Sequence, residues 1–168
     1  MILEDISLTV GGQRLEELLT ALAEHKVQLN AHAPLYFLHP GFQLSPSPWT
    51  ATVRLLTPAE LGFGDPTPFP ELARAAEAQG LALCPPEVGP YLRLALIHQE
   101  ESRDTLLTGT HRAPQGAIHV MSPRLDRRED FPRGLYLRNV AGLLWLRGYV
   151  CDEAYPFPTD ALLAFLVK

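Results

Sequence analysis

Cysteine is nearly absent from this chain: Cys84 and Cys151 are the only two among 168 residues. They cannot supply the disulfide framework of a small secreted domain or the paired thiols of a zinc ribbon. Two buried free thiols are the simpler expectation, although a Cys84–Cys151 bridge is left open. Lysine is equally sparse, with only Lys26 and Lys168 among the 14 basic residues. The accompanying excess of Arg, Ala, Leu and Pro is what a GC-rich coding sequence produces, so the arginine count has little functional weight alone. No apolar run approaches the roughly 20 residues of a spanning helix. No basic segment followed by an apolar one opens the chain, and a reducing cytoplasm is the expected location. There is also no Gly-x-Ser-x-Gly elbow, no phosphate loop, no His pair at zinc-protease spacing and no repeat of 20–50 residues.

The chain is 46% apolar and 20% charged, in the range of globular rather than disordered proteins. Its length suits one domain spanning residues 1–168, large enough for a core without metal or disulfides. A net charge of −5 argues against general nucleic-acid binding, which needs a positive field.

Residues 2–10 read as a strand closed by Gly11-Gly12. Leu15, Leu18, Leu19 and Leu22 follow helical spacing and predict a helix over 14–25. A second helix is expected over 68–79, capped by Thr67, stopped at Gly80, and burying Leu72, Ala75, Ala76 and Phe69. The long connection over 30–47 holds at most one short strand at 35–38. Further strands are expected at 51–56, 91–99, 105–108, 117–121, 135–140, 143–151 and 161–167. Helices early and strands late give an α+β class: two main helices in the first half and a mostly antiparallel sheet in the second.

Three times the chain writes an aromatic residue, leucine and arginine: Tyr91-Leu92-Arg93, Tyr136-Leu137-Arg138 and Trp145-Leu146-Arg147. On a strand each copy sets a ring and a guanidinium on one face and leucine on the other. The first copy continues through Ala95 and Ile97 and reads as interior. The other two flank Asn139-Val140-Ala141-Gly142, which has the Asn and Gly of a type I turn. With Val140 and Ala141 as the loop, Arg138 falls opposite Leu143 and Tyr136 opposite Trp145. One face then holds Tyr136, Arg138, Trp145, Arg147 and Tyr149, and the other holds leucines. Rings beside guanidinium groups suit a planar or anionic partner, and such residues supply many interface hot spots. The alternative is that these rings are packing.

Chemistry has weaker candidates. His98, His111 and His119, with Glu100, Glu101 and Asp104 nearby, could serve a metal-assisted hydrolase. Neither cysteine has a local signature of a nucleophile. Residues 124–130 alternate in charge and read as a solvated loop.

The segment Leu83-Cys84-Pro85-Pro86-Glu87-Val88-Gly89-Pro90, followed by Leu92-Arg93-Leu94, resembles a stretch in uncharacterised small bacterial proteins. In them a helix ending in Gly-Leu leads into Leu-Cys-Pro and then a Leu-Arg-Leu strand. A closing Pro-x-Asp before a Phe-containing strand is similar to Pro158-Thr159-Asp160 and Phe165. The resemblance runs from about Leu72 onward. It implies a bacterial cytosolic protein with a final strand, and it brings no activity.

The expectation is therefore a non-catalytic cytosolic binding protein, with an unknown protein or a small anionic or aromatic ligand as partner, no cofactor and no membrane. The Tyr136, Arg138, Trp145, Arg147 and Tyr149 face is its surface. The alternatives are a hydrolase at His98, His111 and His119, or local single-stranded nucleic-acid binding by stacking.

Overall fold

Among the described residues four helices are interspersed with strands as far as Ala95, three in the first half of the chain and one in the second, and strands alone follow. The structure, a computed structural model, describes residues 5–102 and 116–168. In chain order these form β1 (Ile6–Val10), α1 (Leu15–Glu24), β2 (Gln28–Leu29), α2 (His32–Leu38), β3 (Trp49–Leu56), β4 (Thr67–Pro68) and α3 (Phe69–Ala78). Then follow β5 (Leu81–Ala82), α4 (Val88–Ala95), β6 (Ile118–Val120), β7 (Gly134–Val140), β8 (Leu143–Tyr149), β9 (Pro156–Phe157) and β10 (Leu162–Val167).

One large sheet runs in the order β1-β3-β10-β6-β7-β8-β2, with β5 also on β10; β4 and β9 form a small second sheet. The β10–β6 and β2–β8 pairings are parallel and the rest antiparallel. The α+β class holds. The sheet is mixed, however, and it draws β1, β2, β3 and β5 from the first half instead of lying in the second.

β10 explains the layering. Its sequence Leu-Leu-Ala-Phe-Leu-Val is apolar at every position, which a strand tolerates only when both faces are covered. Ala164 joins the core shared with α1, α2 and α4, whereas Leu163 and Phe165 join the core built with α3. Full burial of such side chains contributes about 1.5–3 kcal/mol each.

α1 and α3 lie where the apolar spacing puts them: Leu18 and Leu22 are buried in the first, and Phe69, Leu72 and Ala76 in the second. Thr67 does not cap α3. Its hydroxyl donates to the Asp65 carbonyl, and Pro68 occupies the cap position.

Two expected strands are helices. Residues 35–38 belong to α2, where Pro34 sits in the first turn and the Asn30 side chain accepts the Ala33 N–H. The first aromatic-Leu-Arg triplet belongs to α4, not to a strand over 91–99. A short apolar run satisfies both periods, and only packing decides. The Leu-Arg-Leu strand implied by the bacterial resemblance is corrected by the same helix, while its final strand is present as β10. Every residue from Val88 to Arg93 is buried, and α4 touches β1 at one end of the sheet and β7 and β8 near the other. The sheet curls around this helix. Gly89 permits the close approach, because a Cβ there would lie 2.7 Å from Leu135 Cδ1. The expected strand at 105–108 and His111 lie outside the described residues.

Candidate functional site

The turn of the β7–β8 hairpin is Ala141-Gly142, with φ of 51° and 82°. Positive φ at both loop residues matches the right-handed twist of the flanking strands, which a type I loop does not. Arg138 therefore pairs with Trp145, Tyr136 with Arg147, and Gly134 with Tyr149. The expected register is corrected by two residues. A shift of two preserves side-chain faces, so the ring-and-guanidinium face survives it.

That face is not evenly open. Tyr136 is 6% exposed and Arg138 0%, whereas Trp145, Arg147 and Tyr149 are half-buried and Leu143, at the tip, is 50% exposed. Tyr136 stacks on His119 with centroids 5.3 Å apart, and Tyr149 and Phe157 close the same cluster edge-on. Arg138 Nε donates to Ser102 Oγ at 3.2 Å. The inner strand is thus packing, and the outer strand keeps the accessible groups. Arg147 connects them: its Nε donates to Tyr136 Oη at 2.8 Å, and its guanidinium carbon lies 5.0 Å from the Trp145 ring centroid.

The hairpin is braced from behind by the first triplet. Arg93 is 0% exposed, and its guanidinium donates to the carbonyls of Arg138 and Trp145, to the Leu96 carbonyl and to Gln99 Oε1. Burial draws its pKa down to about 10, so it stays cationic at neutral pH. Hydrogen bonds from a charged donor contribute about 1.5–3 kcal/mol each. All three triplets thus meet at one place, which sequence reasoning missed because α4 reads as a strand.

The outer edge of β8 is closed by a side chain. Asn30 Nδ2 donates to the Gly148 carbonyl at 2.8 Å, and its Oδ1 accepts the Gly148 N–H at 2.9 Å, as a strand neighbour would. On the other flank Arg133, 3% exposed, lies 3.7 Å from the Phe69 ring centroid, donates to the Ser122 carbonyl and pairs with Glu153 at 2.7 Å.

The reactive candidates are differently placed. His98 is exposed just beyond α4, and His119 is enclosed by rings, with burial pulling its pKa down to about 4. Among the described residues no three His, Cys, Asp or Glu side chains come together as metal ligands. Both cysteines are free. Burial pushes the Cys84 thiol up to about 12 and the Cys151 thiol up to about 11, away from the thiolate a nucleophile needs. A His39–Asp126 pair at 3.1 Å has no signal in the sequence, and His39 Nδ1 already accepts the Gly41 N–H. With both ring nitrogens engaged, it positions loops and is not free to act as a base. Glu87, also unmarked in the sequence, is 3% exposed and accepts from Ser45 N, Ser45 Oγ and Trp49 Nε1, pinning the 45–49 segment to α4.

No protein-family model matches the chain, and no match was found among the curated proteins or the solved structures.

Proposed function

We propose that this chain is a non-catalytic interaction protein whose contact surface is the outer strand of the β7–β8 hairpin. The observation that carries this reading is the half-buried Trp145–Arg147 pair, held in place by Tyr136 Oη. A guanidinium near an indole contributes about 0.5–1 kcal/mol when exposed and about 2 when desolvated, so covering the pair strengthens it. Leu143 at the tip adds an apolar contact beside the two hot-spot residue types. The partner that fits is a protein, or a small planar molecule, offering a carboxylate or a ring.

The test is quantitative capture of cellular partners by the wild-type protein, by W145A/R147A and by a control variant, E24A, on the distant α1 surface. A partner retained by wild type and by E24A but lost by a folded W145A/R147A protein is the expected result. Equal capture by all three, with intact circular dichroism, overturns the reading. Trp145 fluorescence, taken as the difference from W145F, should change when the captured partner is added back.

A further inference from the structure

The two ends of the large sheet are treated differently. At the β2–β8 end the added strand is only Gln28–Leu29, and the Asn30 amide occupies the backbone groups of Gly148. At the other end β1 pairs with β3 residue by residue, from Ile6 with Val53 to Val10 with Trp49. In an antiparallel ladder alternate residues aim N–H and C=O away from the partner strand. Among the described residues no hydrogen bond beyond the β1–β3 ladder reaches residues 6–10. The outward edge of β1 therefore carries no hydrogen-bonded neighbour among the described residues, and Ser7 and Thr9 on it are exposed. The usual guards of an edge strand are lysine, proline, a bulge or an inward charge. Ile6-Ser7-Leu8-Thr9-Val10 contains no proline and no charge, and its pairing with β3 is unbroken.

The strand also reads the same in both directions by chemical type. β-branched Ile6 and Val10 stand at the ends, hydroxyl-bearing Ser7 and Thr9 inside them, and Leu8 at the centre. We propose that β1 joins a second copy of this chain, antiparallel, about a two-fold axis through Leu8. Ile6 then faces the partner's Val10, Ser7 the partner's Thr9, and Leu8 the partner's Leu8. The pairing is reciprocal, as an isologous interface requires, each pair sets like beside like, and hydroxyl pairs opposite one another are favourable in sheets. Residues of equal parity pair, so the buried side of β1, Leu8 and Val10, stays on one face of the joined sheet, with exposed Ser7 and Thr9 on the other.

The experiment is light scattering coupled to gel filtration over a concentration series. The wild-type protein is expected at twice 18.6 kDa. Lysines at the two exposed positions place like charges opposite each other across the axis. S7K/T9K should therefore weaken the dimer by about tenfold or more while leaving circular dichroism unchanged. S7E/T9E should do the same, and mixing the two variants should restore a dimer containing one of each. Amide exchange in β1 of the wild-type protein should slow as concentration rises, which tests the idea even if a variant does not fold. A wild-type protein that remains at 18.6 kDa, a dimer indifferent to both substitutions, or β1 exchange independent of concentration each overturns the proposal.

Discussion

The imidazole of His119 lies among Tyr136, Tyr149 and Phe157, and its buried Nδ1 makes no hydrogen bond. Burial disfavours the charged ring and lowers its pKa from 6.5 to about 4. The unfolded chain therefore binds a proton that the folded chain refuses between those values. The stability this represents is fully present above pH 6.5 and is lost as pH falls toward 4; at pH 4.5 the loss is on the order of 2–3 kcal/mol. His119→Phe fits a ring cluster and removes the titration. Urea midpoints at pH 7 and pH 4.5 should separate less in H119F than in the wild-type protein, and equal separations would count against this account. The histidine was legible in the sequence as a candidate ligand. Its enclosure was not, because Phe157 lies far away in sequence and reaches the ring only through the fold.

At the scale of elements, the hairpin shows how a wrong turn can leave the assignment of side-chain faces intact. Its strands and faces follow from alternation, but the loop type rests on φ values that Ala141 does not announce. Ala141 adopts φ of 51°, a left-handed conformation that costs an alanine about 1 kcal/mol and suits asparagine or glycine better. Ala141→Asn should therefore stabilise the protein by about 0.5–1 kcal/mol, read as a higher urea midpoint with unchanged slope. A lower midpoint would mean that the loop is held in another conformation. The α4 helix is the opposite case. Its Tyr91-Leu92-Arg93 has the pattern of the hairpin strands, and the local sequence offers no ground for separating them. The difference comes from the packing of Gly89 on Leu135 and from Arg93 reaching the carbonyls of Arg138 and Trp145.

For the molecule as a whole, β10 is the structural centre. It bonds to β3, β5 and β6, and its side chains enter both cores. Its amides should exchange only through global unfolding and be the slowest in the protein, slower than those of β8 near the hairpin tip. Hydrogen-exchange mass spectrometry resolves the two, and faster exchange in β10 would show that the cores open independently. The charge of −5 also has a spatial form: the arginines at the hairpin, Arg93, Arg138 and Arg147, stand in an acidic protein. Among the described residues no helix is long and apolar enough to cross a membrane.

The amino-acid sequence by itself determined the α+β class, the helices α1 and α3, the positions of β3, β7, β8 and β10, and which residues share a face of the hairpin. These depend on periodicity and on breakers, which are local properties of a chain. Only the tertiary structure decided that the sheet is mixed, that α4 is a helix inside its curl, and that Tyr136 and Arg138 are buried while Trp145 and Arg147 remain accessible. Those outcomes depend on which distant segments compete for the same apolar surface and the same backbone groups. Burial is a property of neighbours, and the neighbours of this hairpin come from residues far apart along the chain.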